Sequence, residues 1–242
     1  MKSFDSNFIQ YLQTKGFDDQ QIEQAITKLL QYRDMTLEWN NKVNLTAITN
    51  PDEFLQKHYV DSLLCADAKE LKDARTVLDV GTGGGFPGIP LAIFFPEKHF
   101  VLLDSLQKRL KIVREMADTI GLKNVEVVHG RAEDLARDSK YREQFDLCVS
   151  RAVANLSTLA ELCLPFVNVG GTFISYKGPN CSVEVNDAKN AVRMMGGTIN
   201  RIEQPKPVKY PSEHNMIYIK KVKKTPGPYP RKAGTPLKNP IK

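Results

Sequence analysis

Three acids and a cluster of glycines are the residues here whose types and spacing could do chemistry. The stretch Thr76–Ala92 reads TVLDVGTGGGFPGIPLA, with five glycines (Gly81, Gly83, Gly84, Gly85, Gly88) inside eight residues. An apolar run, a Gly-rich turn and a helical pattern beside Pro87 predict a nucleotide-binding loop with backbone N–H groups exposed at a helix start. Glycine is needed where the backbone must take a positive φ or approach a ligand closely. Asp79 ends the apolar run. Asp104 ends a second one about twenty positions on, where a carboxylate can accept the two hydroxyls of a ribose. Ala132-Glu133-Asp134 follow a third, where an adenine would be gripped. The spacing Gly83, Gly85, Gly88 fits GxGxxG, which alone also suits a dinucleotide. Acids at three successive strand ends converge on one crevice, where ligands of open α/β sheets bind.

These residues need a sheet to position them. From about residue 75 the chain alternates strand, turn and helix. Strands are predicted at 76–80, 99–104, 125–129, 145–150 and 171–176, with the clearest helix between them over 106–120, capped by Ser105 and stopped by Gly121. Such alternation predicts a parallel sheet with helices on both faces. A helix over 182–195 follows, then two strand-like runs, 198–202 and 215–222, with no helix between them. They predict an antiparallel pair at one edge, making a seven-stranded, mostly parallel sheet.

The first seventy residues read as helices. One covers 6–15 and stops at Gly16. The next starts with Asp18 as N-cap, Gln21 completing a capping box and Phe17 against Ile22 as a staple. A third opens at Asn50-Pro51 with an apolar face of Leu55, Tyr59, Leu63 and Leu64. The expected divisions are a helical cap over 1–70, a catalytic domain over 71–224 and a tail over 225–242. With five prolines and two glycines, the tail is expected to hold no regular structure.

Composition narrows the classes. At 242 residues, 41% hydrophobic and 26% charged, the chain is an ordinary globular protein. Its N-terminus lacks the apolar core of a signal peptide, and no stretch suits a membrane span. Four scattered cysteines (65, 148, 163, 181) without CxxC spacing fit reduced thiols and a cytoplasmic location. Four histidines form no ligand pair at helical spacing, so no metal site is expected. Residues 206–242 carry ten Lys or Arg against one Glu, a net +9 that leaves −3 for the rest of a chain totalling +6. A basic segment on a near-neutral body suggests a polyanionic partner, or else a solubilising tail.

The loop and the outline resemble class I S-adenosylmethionine-dependent methyltransferases. More narrowly, the chain resembles the RsmG family (glucose-inhibited division protein B) of bacterial 16S rRNA guanine-N7 methyltransferases. The resemblance is carried by Asn44–Ile48, His58 with Asp61-Ser62, Leu78–Gly88, Gly130–Glu133, Ser150-Arg151-Ala152, Tyr176-Lys177-Gly178 and Pro230–Pro236, in order along the chain. It implies methyl transfer from S-adenosylmethionine to a guanine N7 in the 530 loop of 16S rRNA. It also implies that Gly81 and Phe86 line the cofactor site, that Ala132 and Glu133 meet the adenine, and that Arg151 reaches the pocket after the fourth strand. Asp79, Gly83, Gly85 and Asp104 follow from the loop itself.

Guanine N7 has an in-plane lone pair and no proton, so its attack on a sulfonium methyl needs alignment and no general base. Arg151 is therefore expected to position the target guanine or its phosphate while bordering the cofactor. Lys177, Arg201, Arg231 and Lys232 are the candidates for RNA phosphate contacts. Asn44–Ile48 and His58 form either a lid or RNA platform at the pocket mouth, or a packing cap. The expected partner is 16S rRNA, the small subunit or its precursor; no membrane and no obligate protein partner are expected, and the chain is expected to be a monomer. Three other readings share the features: a methyltransferase on another RNA, an NAD-dependent oxidoreductase using the same glycines, and a non-catalytic RNA-binding module.

Overall fold

The computed structural model describes residues 6–207, 209, 210 and 212–242; residues 1–5 of the expected cap lie outside the described residues. Seven strands form one sheet in the order β3-β2-β1-β4-β5-β7-β6. They are β1 (Thr76–Val80), β2 (His99–Asp104), β3 (Val125–His129), β4 (Phe145–Arg151), β5 (Val167–Lys177), β6 (Gly197–Glu203) and β7 (Asn215–Lys221). Strands β1 to β5 run parallel, while β7 lies antiparallel between β5 and β6. The first three predicted strands have the bounds expected, because their apolar runs end on the charged or glycine residues that open each turn. Strand order reverses between β2-β1 and β1-β4, which opens a crevice at the strands' C-terminal ends.

Each face carries its own core. On one, α1 (Ser6–Thr14), α2 (Asp19–Asn40), α5 (Gly88–Phe94) and α6 (Gln107–Thr119) bury residues such as Leu29, Tyr32, Ile89 and Val113. On the other, α8 (Leu156–Cys163) and α9 (Ser182–Met194) bury Leu159, Cys163 and Val192. The N-terminal helices thus share a core with the sheet. The short helices are α3 (Pro51–Phe54), α4 (Lys69–Asp73), α7 (Ala132–Leu135) and α10 (Thr235–Lys238). Among the described residues, no helix is long and apolar enough to cross a membrane. All four cysteines are free and buried.

Caps expected from sequence are present for α2, where Asp18 and Gln21 bond reciprocally, and for α3, where Asn50 accepts from Asp52 and Glu53. Three local expectations fail for physical reasons. Ser105 does not cap α6; Asp104 Oδ1 accepts the Leu106 N–H instead, at 2.9 Å. The helix opened by Asn50 lasts one turn, then widens into a π-helical segment, Leu55–Val60. The wider turn buries His58, Tyr59 and Val60 together, and such widenings often mark functional sites. The tail, expected to be irregular, contains α10 with Pro236 in its first turn, where a missing N–H costs nothing.

Candidate functional site

Asp79 is wholly buried beneath the loop that follows β1. Its Oδ2 accepts the Thr82 hydroxyl at 2.7 Å and the Gly88 N–H at 2.9 Å. Burial pushes its carboxyl up to about 6, against the bonds from Thr82 and Gly88 that favour the charged form. Asp79 therefore holds the loop and does not line the crevice. Gly85, whose φ is 90°, sits in the same buried layer: a Cβ there would fall 2.3 Å from the Tyr32 hydroxyl, which donates to the Gly84 carbonyl. Gly81 is constrained from another side, because with φ of 76° its Cβ would meet Val153 Cγ2 at 2.3 Å.

The loop's N–H groups are not arrayed toward the crevice, contrary to the expectation from the glycine pattern. Gly81 and Thr82 donate to the Leu103 carbonyl, Gly85 and Phe86 to the Thr82 carbonyl. Gly83 donates to Asp104 Oδ2, and Gly88 to Asp79. A diphosphate needs a row of free donors. Here the six just named are taken up by the protein, and a carboxylate stands beside them. The loop suits a cofactor with a ribose and no pyrophosphate.

The crevice is a cavity of about 1060 Å³. Gly81, Gly83 and Phe86 line it from the loop, Asp104 from β2, Ala132 and Glu133 from α7, and Arg151 from β4. Asp79 and Gly85 are the predicted cofactor residues that do not. Leu106 and Val153 also face the cavity, and nothing in their spacing singled them out. Glu133 Oε1 accepts from Arg131 at 2.9 Å and from the Gly234 N–H at 2.8 Å. Burial opposes its charge, yet those bonds hold the carboxyl below the usual range. Among the described residues, no group of three or more His, Cys, Asp or Glu is placed to hold a metal ion.

The far half of the cavity comes from the N-terminal helices and the segment before β7. Leu45, Ile48, Lys57, His58, Asp61 and His214 line it. Arg151 Nη1 donates to the Lys57 carbonyl at 2.6 Å, and Nη2 lies 3.2 Å from His58 Nδ1. The His58 ring stacks on Phe86 at 4.1 Å between centroids, and its Nε2 is 2.7 Å from Thr46 Oγ1. A guanidinium only donates, so Nδ1 is the acceptor and the ring proton sits on Nε2, pointing at Thr46. Burial, helped by the Arg151 charge, lowers the His58 pKa to about 3, so the ring is neutral. Thr46 Oγ1 also accepts the Ile48 N–H at 3.0 Å. The Asn44–Ile48 segment thus both lines the cavity and steadies Arg151. Opposite, Asp61 Oδ1 accepts the Ser212 hydroxyl at 3.0 Å and Oδ2 lies 3.3 Å from His214 Nδ1.

The four cations singled out for RNA separate. Lys177 reaches Glu184 at 2.6 Å, Arg201 grips Glu70 and Glu203 while lying over the Tyr218 ring, and Arg231 forks onto buried Glu161. Each of these neutralises a carboxylate of the protein itself. Lys232 is exposed.

Sheet order, the loop after β1 and the crevice it borders define the Rossmann-like fold of the class I methyltransferases. Solved structures with that fold include the ribosomal protein L11 methylase of Lactobacillus delbrueckii subsp. bulgaricus (TM-score 0.51, 19% identity, 68% of this chain and 78% of that one). Another is the fibrillarin pre-rRNA processing protein of Methanococcus jannaschii (TM-score 0.52, 14% identity, 64% and 70%). At these identities the likeness shows the fold alone. The narrower assignment comes from sequence: the family described as GidB, rRNA small subunit methyltransferase G, matches residues 25–209. Proteins named ribosomal RNA small subunit methyltransferase G are 48% identical in Alkaliphilus metalliredigens (95% of each chain) and 47% identical in Clostridium novyi (93% of this chain, 91% of that one). This chain belongs to the rRNA small subunit methyltransferase G family.

Proposed function

We propose that the protein methylates N7 of a guanine in the 530 loop of 16S rRNA, with S-adenosylmethionine as donor. The observation that carries the reading is a single cavity with two differently built halves. One half has the loop, Asp104 and α7, and suits an adenosine without phosphates. The other has Arg151, His58 and Asp61, and suits a polar planar base. Family membership supports the same chemistry.

S-adenosylmethionine supplies an electrophilic methyl on a sulfonium. Asp104 takes the ribose hydroxyls on lone pairs left free by its bonds from Gly83 and Leu106. Phe86 borders the site at the loop, its ring backed by the stacked His58. Arg151 is aimed by Lys57 and His58, and holds the guanine or its phosphate in line with the methyl. N7 is unprotonated, so positioning provides the acceleration. His58 is a strut and no base, since its Nδ1 lone pair is occupied by Arg151.

The division of labour we propose is a positioning cap over 1–70, a catalytic body over 71–224 and a C-terminal strap over 225–242. Lys57 and Arg109, which line the cavity, together with Lys232 supply the cations for RNA phosphates. The enzyme acts in the cytoplasm as a monomer, on 16S rRNA or a precursor of the small subunit. Calorimetric titration with S-adenosylmethionine and with NAD tests the donor, and methyl incorporation into 16S rRNA tests the acceptor. Binding of NAD alone, or binding of the donor without transfer to RNA, would refute the proposal.

A further inference from the structure

The basic tail is anchored to the body at every stage of its path. Proline removes backbone donors and leaves carbonyls that need partners. Two arginines of the body supply them: Arg142 donates to the carbonyls of Thr225 and Tyr229, and Arg137 to those of Pro228 and Pro230. Next, Arg231 forks onto Glu161, whose side chain is only 1% exposed. The Gly234 N–H then donates to Glu133, and the Pro236 carbonyl accepts the Thr158 hydroxyl at 3.0 Å. Glu133 and Thr158 both line the cavity. The strap therefore crosses the α7 side of the crevice and is tied to two of its wall residues.

One side chain of the strap enters the site. Leu237 lines the cavity and is 60% exposed, whereas its neighbour Pro236 is buried. Leu106 and Val153, also large and apolar, face the same cavity at 48% and 39% exposure. Apolar side chains left open in a concave site await an apolar ligand surface. Leu106 lies beside Asp104 and Leu237 beside α7, the end assigned to the adenosine, and Val153 borders the loop at Gly81.

We infer that the strap completes the cofactor site, with Leu237 closing over the adenine while Gly234 holds Glu133 in place. This rests on the proposed donor, and it assigns Gly234 and Leu237 of the tail to the cofactor, where the tail's charge had suggested RNA alone. The experiment is calorimetric titration of the full chain, of L237A and of a chain ending at Lys224, each with S-adenosylmethionine and with free adenosine. In L237A both dissociation constants should rise by the same factor, roughly tenfold, about 1.4 kcal/mol. The shortened chain should lose more. If it fails to fold, because Glu161 is left without Arg231, L237A still decides, since its exposed side chain is no part of the core. An L237A protein that binds both within twofold of the full chain would overturn the inference, whatever its effect on RNA binding. A full chain that binds neither would overturn the donor assignment itself.

Discussion

Arg151 leaves β4 with its guanidinium between the Lys57 carbonyl and the His58 ring, so its aim is set by the N-terminal cap. Arg151→Ala should lower methyl transfer by roughly 100-fold, as misplacement of a reacting group by about 1 Å does, while the dissociation constant for S-adenosylmethionine changes only a few-fold. Steady-state kinetics beside calorimetry separates the two, and equal losses would make Arg151 a cofactor ligand only. His58 gives a pH signature. Its pKa is about 3 in the fold, so the unfolded chain takes up a proton that the fold refuses, and stability falls as pH drops from about 6.5 toward about 3. Asp79 works in the opposite sense, because its raised carboxyl favours the fold as pH falls below about 6. Comparing urea unfolding of wild type and His58→Gln isolates the first term: wild type should lose on the order of 2 kcal/mol more than the variant between pH 7 and 5. Sequence marks His58, Asp79 and Arg151 as distinctive. It does not say that His58 faces Arg151, since a contact between residues so far apart depends on the register of the whole sheet. Nor does it separate Asp79, under the loop, from Asp104, facing the cavity.

Among the elements, β1, β2 and β3 were legible because apolar runs and turn residues alternate cleanly, and the capping box of α2 is visible in four residues. The π-helical widening at Leu55–Val60 was not. Its apolar spacing fits an ordinary helix, and only packing of His58, Tyr59 and Val60 into one core selects the wider turn. The strap was misjudged for a related reason: proline content excludes long helices, yet says nothing about carbonyls held by Arg137 and Arg142. Its anchor makes a stability prediction. Arg231→Ala leaves the buried Glu161 carboxylate without a counter-charge, held only by the backbone N–H of residue 231 at 2.6 Å, which should cost about 3 kcal/mol and lower the melting temperature by roughly 6–12 °C in a protein of this size. The double variant Arg231→Ala, Glu161→Gln should recover part of that loss, as read by thermal unfolding; no recovery would show that Arg231 acts through packing alone.

For the whole molecule, net charge is a poor map of where RNA binds, because some of the basic side chains neutralise the protein's own acids. Arg201, on Glu70 and Glu203, and Arg231, on Glu161, are cases in which a formal +1 is locally cancelled. Arg109→Ala, at the cavity wall, should therefore lower the slope of log affinity against log salt by roughly 0.7 to 0.9, while Arg201→Ala leaves it unchanged. Filter binding to 16S rRNA across a salt series measures both, and a reversed order would put the RNA on the β6 edge. The fold as a whole lines a single crevice with Asp104 and α7 on one side and Arg151 and His58 on the other, where the proposed reaction brings a guanine N7 to a methyl donor. The direct measurement is mapping of N7-methylguanosine in 16S rRNA from cells lacking this protein. The modification in the 530 loop should be absent, restored by the wild-type chain and not by Arg151→Ala; an unchanged N7-methylguanosine pattern would contradict the account.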